Sequence, residues 1–122
     1  MCPVSDKWQV DYTDDFGVWW EALSVEVQEK IYKVVSLLEI HGPTLGYPHS
    51  SEIKGASIAM RELRTQYDGH PYRVLYVFDR NHSAVLLIGG DKTGDARWYE
   101  RMVPVAERIY QEYLKELKEE RS

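Results

Sequence analysis

Polar and apolar positions alternate over Trp8-Gln9-Val10-Asp11-Tyr12, the period of a short half-buried strand. Thr13, Asp14 and Asp15 then offer capping side chains to a helix carrying Phe16, Trp19, Trp20 and Leu23. From Ser24 onward, Val27, Ile31, Val34, Val35 and Leu38 recur at intervals of 4, 3, 1 and 3, the apolar face of a second helix. Gly42-Pro43 ends it. Residues 43–53 contain Pro43, Gly46, Pro48 and two serines, and read as loop. Three apolar-rich runs follow, at 58–67, 72–79 and 83–89. The joints Asp68-Gly69-His70-Pro71 and Asp79-Arg80-Asn81-His82 predict hairpin turns. Ala84-Val85-Leu86-Leu87-Ile88 is apolar on both faces, so it is expected to be covered on both. Pro104 fits only near the start of a helix. The last helix is therefore predicted from about Val103, with Ala106, Ile109, Tyr113 and Leu117 inward and residues 95–102 forming a separate turn or short helix.

The order is an N-terminal strand, two helices, an antiparallel three-strand meander and a C-terminal helix. It predicts an α+β fold with helices on one side of the sheet and the other face partly open. No repeat or linker interrupts the chain, so residues 1–122 are expected to form one domain.

Composition narrows the chemistry. At 43% hydrophobic and 12% aromatic residues, the chain has the material for a packed core. Cys2 is its one cysteine, which excludes an internal disulfide and a cysteine-cluster zinc site. His41, His49, His70 and His82 fall in loops or turns without metal-ligand spacing, and no cofactor motif is present, so neither metal nor cofactor is expected. The N-terminus lacks an apolar leader region and no run reaches the length of a membrane span, which predicts a cytoplasmic protein with no membrane partner. The net charge is −5, yet it is uneven: residues 1–53 hold three Lys/Arg against nine Asp/Glu, and residues 54–101 hold eight against six. Any basic site belongs to the middle of the chain.

That middle holds the candidate chemistry. If the 68–71 loop pairs Tyr67 with Tyr72, then Leu63 faces Tyr76 and Thr65 faces Val74 on the more apolar side, the one expected to meet the helices. Glu62, Arg64 and Arg73 share the other side, with the two arginines on a diagonal roughly 7–8 Å apart. Two such arginines want an anion between them, either Glu62 or a phosphate. Gly89-Gly90 then lets the backbone turn or approach a neighbour closely before Lys92. Asp91, where a nucleotide-binding P-loop has glycine, excludes that motif. Trp98 reads as a core aromatic.

Glu62-Leu63-Arg64, Tyr72-Arg73-Val74-Leu75-Tyr76, Gly90-Asp91-Lys92-Thr93-Gly94-Asp95 and Trp98-Tyr99, in this order and spacing, resemble the RelE/HigB superfamily of toxin–antitoxin toxins. Within it they are most similar to the phage-derived HigB-like branch. The resemblance implies a RelE-like fold and a metal-independent endoribonuclease, an mRNA interferase acting on messenger RNA in the ribosome. It also implies a cognate antitoxin, expected to be a helix-turn-helix protein. The residues it marks as catalytic are Arg64, Arg73, Lys92 and Tyr99, with Lys54, Arg61 and Arg97 as further RNA-binding candidates. No histidine aligns with the site, and Glu62 is the candidate base if its strand position is exposed. The alternative is a non-catalytic RNA- or protein-binding module of the same fold, a degenerate toxin or a prophage regulator.

Overall fold

The computed structural model describes residues 7–79 and 82–120. β1 (Gln9–Tyr12) leads into α1 (Asp14–Glu21) and α2 (Val25–His41), as the sequence pattern predicts. Each helix begins on a hydroxyl cap: Thr13 Oγ1 accepts from the Phe16 N–H and Ser24 Oγ from the Val27 N–H. The Thr13 hydroxyl also donates to the Leu87 carbonyl at 2.7 Å, fixing the start of α1 to the sheet. Val27, Ile31, Val34 and Leu38 form the buried face of α2. Gly42 ends that helix at φ 55°, where a Cβ would also lie 2.3 Å from the Trp8 indole, so both conformation and space require glycine.

The sheet is larger than the meander. β2 (Ser50–Glu52) lies inside the segment expected to be loop and pairs antiparallel with Arg61–Leu63 of β3 (Met60–Tyr67). Serine and proline hide it in the sequence, and tertiary bonds hold it: the Ser50 and Tyr76 hydroxyls lie 2.6 Å apart, and Arg61 Nε donates to Ser50 Oγ at 3.1 Å. β3 is followed by β4 (His70–Asp79) and β5 (Ser83–Asp91), and the strand order is β1-β5-β4-β3-β2, with β1 parallel to β5. Arg80 and Asn81 of the second expected turn, and Cys2, lie outside the described residues.

The first turn is tighter than the four-residue joint expected. Asp68 and Gly69 alone make it, both at positive φ (51° and 79°), the two-residue hairpin that an Asp-Gly pair favours. Tyr67 therefore pairs with His70 rather than Tyr72, displacing the register by two residues. Because side chains alternate with period two, every residue keeps its predicted face. What changes is opposition: Arg64 stands directly across from Arg73, and Glu62 across from Leu75.

Helices cover both faces of the sheet, which corrects the expected one-sided arrangement. α1 and α2 pack Phe16, Ile31 and Leu38 against Leu63, Val74, Tyr76 and Leu86. α3 (Trp98–Glu120) packs Trp98, Val103, Ala106 and Ile109 against Met60, Leu75, Val77, Val85 and Leu87 on the opposite face. The two-sided apolar run of β5 is the sequence feature that demands both layers. α3 also starts earlier than Pro104 suggests, absorbing residues 98–102. Pro104 removes the bond to the Glu100 carbonyl, but both residues are exposed, so water can satisfy that oxygen. Gly89 and Gly90 lie within β5 and serve close approach rather than a turn. A Cβ on Gly89 would meet the Trp19 ring at 2.3 Å, and one on Gly90 the Trp98 indole at 2.7 Å.

Candidate functional site

At one end of the α3-covered face, apolar packing gives way to charge around Glu62. Its Oε2 accepts from Ser51 Oγ at 2.6 Å and Arg64 Nη1 at 3.0 Å. Its Oε1 accepts from the Tyr99 hydroxyl at 2.6 Å and lies 3.6 Å from Arg73 Nε. The carboxylate is thus the anion between the two arginines, and both of its oxygens are engaged. Glu62 is 4% exposed and Arg73 6%, so each is a buried ion whose desolvation is offset by the other. Arg73 Nη1 also donates to the Tyr72 carbonyl at 2.9 Å, while its Nε makes no hydrogen bond. Glu62 lies well inside the protein, unlike the exposed position its role as a base would require. Arg64, at 26% side-chain exposure, is the arginine that reaches the surface.

The expected catalytic set converges here. Tyr99, in the first turn of α3, closes the cluster from above. Burial pushes its phenol upward from the ordinary range, and the hydrogen bond and charge of Glu62 act in the same direction, with Arg73 opposing them. The Lys92 ammonium lies 5.7 Å from the centre of the Tyr99 ring, within cation–π range. The loop that carries Lys92 is held at several points. The Lys92 N–H donates to the Pro71 carbonyl at 3.0 Å, the Asp95 N–H to the Lys92 carbonyl at 3.1 Å, and the Thr93 N–H to Asp91 Oδ1 at 2.9 Å. One carboxylate, two guanidiniums and one ammonium leave the cluster with a surplus of positive charge that Arg64 and Lys92 present outward.

The other predicted residues stand apart. Arg61 is committed to the 45–50 segment, through Ser50 Oγ and the Leu45 carbonyl at 3.3 Å. Lys54 and Arg97 are exposed. Among the described residues no hydrogen bond, ion pair or ring contact links these three to Glu62. His70 is paired through Nδ1 with Asp91 Oδ2 at 2.8 Å and Thr93 Oγ1 at 3.0 Å, but strand alternation puts its side chain on the face opposite Glu62. Asp91 suffers some desolvation there, yet the Thr93 hydrogen bonds and His70 outweigh it and hold the carboxyl below the ordinary carboxylate range.

Sequence reasoning missed Ser51, Lys30, Lys33 and Tyr47. Arg64 Cζ lies 5.2 Å from the Tyr47 ring centre, and a cleft of about 520 Å³ opens beside it with Lys30 and Lys33 on its wall. Spacing i, i+3 put the two lysines on one helix face, but nothing in the sequence says which strands that face meets. Among the described residues no cluster of three or more His, Cys, Asp or Glu is placed to hold a metal ion, and no helix is long and apolar enough to cross a membrane.

Residues 18–111 match the family described as phage derived protein Gp49-like. A protein named toxin HigB3 from Mycobacterium tuberculosis is 36% identical over 98 residues, spanning 79% of this chain and 84% of that protein. A second, named toxin HigB2 from the same organism, is 30% identical over 110 residues, and this chain spans only 54% of its length. The fold is that of a free-state variant of Escherichia coli toxin RelE, with a TM-score of 0.57 at 15% identity over 90% of this chain and 97% of the other. It also matches a chain of the E. coli RelBE toxin–antitoxin complex, with a TM-score of 0.52 at 19% identity over 68% of this chain and 94% of that one. Matched along most of its length and carrying the RelE-like fold, the chain belongs to the phage-derived Gp49-like family, a toxin of the RelE/HigB type.

Proposed function

We propose that this toxin is a metal-independent endoribonuclease that cuts messenger RNA on the translating ribosome in the cytoplasm and is held inactive by a cognate antitoxin, a helix-turn-helix protein. The observation that carries the reading is the convergence of Arg64, Arg73, Lys92 and Tyr99 on one end of the sheet. The 2′-hydroxyl of RNA gives up its proton to solvent and attacks the adjacent phosphorus, the P–O5′ bond breaks, and the leaving 5′-oxygen takes up a proton, so that a cyclic phosphate and a free 5′-hydroxyl result. Cations aimed at the crowded phosphorane stabilise the charge that develops on its oxygens. Arg64 and Lys92 are the exposed donors for that task. Tyr99, whose one hydroxyl proton goes to Glu62, is set to relay a proton, or to donate to the phosphate once its hydroxyl turns from that carboxylate. Buried Arg73 acts from beneath by holding Glu62 in register.

The net charge of −5 supports dependence on the ribosome. Affinity for free RNA comes largely from phosphate neutralisation and falls as salt rises, so an acidic chain has little of it. A ribosome that positions the message supplies orientation instead. The test compares cleavage of one mRNA, free and in a programmed ribosome, near physiological salt. Cleavage in the ribosome alone is expected, and Lys92→Ala and Arg64→Ala should each slow it by about 10²–10³. Equal rates on free and bound message overturn ribosome dependence. No cleavage of either favours a second reading, a non-catalytic binding module. That reading draws on the engagement of both Glu62 oxygens and on the placement of His70 across the sheet.

A further inference from the structure

Apart from Arg64 and Arg73, the residues of the cleft next to Arg64 take no part in the chemistry above. Its wall is built from Lys30 and Lys33 of α2, Tyr47 and His49 of the loop before β2, and Arg64 and Arg73 of the strands. No carboxylate lines it. Glu26 and Glu29 of the same helix line a neighbouring groove instead, and Lys30 and Lys33 form the ridge between the two. Among the described residues neither lysine is engaged in an ion pair. Tyr47 is 77% exposed although Arg64 sits on it, so one ring face remains open. The sheet edge is open too: β2 ends its pairing at Leu63, the Arg64 N–H goes to the His49 carbonyl, and the polar side chains of Thr65 and Gln66 line the cleft floor.

We infer that this cleft is a binding track for single-stranded RNA, in which Tyr47 stacks a base while Lys30 and Lys33 neutralise phosphates. The inference rests on the endoribonuclease reading and extends it to how the strand is held. Arg64 joins the two regions, since the same guanidinium contacts Glu62 on the reactive side and Tyr47 on the cleft side. A strand whose scissile phosphate meets Arg64 and Lys92 continues along a surface offering an aromatic plane and two unpaired ammoniums. Sequence-tolerant single-strand binding uses those elements, a π-face for the base and cations for the backbone.

The experiment measures binding, so that it does not depend on cleavage. Fluorescence anisotropy with a labelled, uncleavable 2′-O-methyl RNA oligonucleotide is followed across a salt series from low ionic strength, using the full chain. Each phosphate contact contributes about 0.7 to the slope of log affinity against log salt on a single strand. The double variant Lys30→Ala/Lys33→Ala should lower that slope by about 1.4. Lys30→Arg/Lys33→Arg should restore it. Tyr47→Ala should weaken binding about tenfold without changing the slope. Both sites are exposed, and unchanged circular dichroism confirms that folding is not the cause. Wild-type slope and affinity in all variants, or no binding by the wild-type chain at low salt, overturn the inference. So does loss of antitoxin copurification with RNA binding intact, which assigns the cleft to an acidic protein segment. If the slopes shift as expected but no mRNA is cut in ribosomes, the cleft stands and the endoribonuclease reading falls.

Discussion

Two halves of one sheet face, both beside α3, are built on opposite principles. Leu75 and Arg73 are next-but-one neighbours on β4, and both point at the α3 side. Around Leu75 lie Met60, Val77, Val85, Leu87 and Trp98, and no direction matters. Around Arg73 lie Glu62, Arg64 and Tyr99, and each contact has a donor, an acceptor and a geometry. The halves meet where Glu62 sits across from Leu75. The apolar half gives up stability in proportion to what is removed. The charged half tolerates no single deletion of Glu62 or Arg73, because removing one leaves the other ion buried without compensation. Such an arrangement suits a site that has to keep cations aimed at a surface.

Breaking the charged half should have the largest effect. Glu62→Ala strands the Arg73 guanidinium and frees Arg64, Ser51 and Tyr99, and should cost about 3–5 kcal/mol in urea unfolding. The double variant Glu62→Leu/Arg73→Leu should recover most of that loss, since apolar replacements of a buried pair are often neutral. Failure of the double variant to recover would remove the ion-pair account of this half. Leu75→Ala provides the contrast, with an expected loss of about 2–5 kcal/mol that no second apolar truncation restores.

A smaller effect sharpens the comparison through pH. Tyr99→Phe removes a hydrogen bond to a carboxylate and should cost about 1.5–3 kcal/mol at neutral pH. Tyr99 has its folded pKa raised above the ordinary 10.0, by burial first and Glu62 second. Its contribution is therefore complete below that ordinary value and declines as pH rises through the folded one, because the unfolded phenol ionises first. Unfolding midpoints measured across alkaline pH should fall more steeply for the wild type than for Tyr99→Phe. Parallel curves would mean that Tyr99 is not part of the buried network.

The sequence by itself determined most of the elements and the side of the sheet on which each residue of β3 and β4 lies. The helical spacing of Val27, Ile31, Val34 and Leu38, the hydroxyl caps at Thr13 and Ser24, and the alternation within the runs 58–67 and 72–79 are local properties, and they hold in the structure although the strands run over Met60–Tyr67 and His70–Asp79. Even a register displaced by two residues left Glu62, Arg64 and Arg73 together, because alternation has period two. Their resemblance to a toxin family was legible for the same reason: the residues lie on short contiguous segments. Tertiary structure decided what those segments meet. α3 on the second face buried Arg73 and brought Tyr99 onto Glu62, 37 residues away in sequence. β2 formed in a serine-rich loop because Tyr76 and Arg61 bond to Ser50 across the fold. Lys30 and Lys33 became the wall of a cleft only when α2 packed beside the open edge of β3. Exposure and long-range pairing depend on the summed packing of distant segments, so no local pattern encodes them.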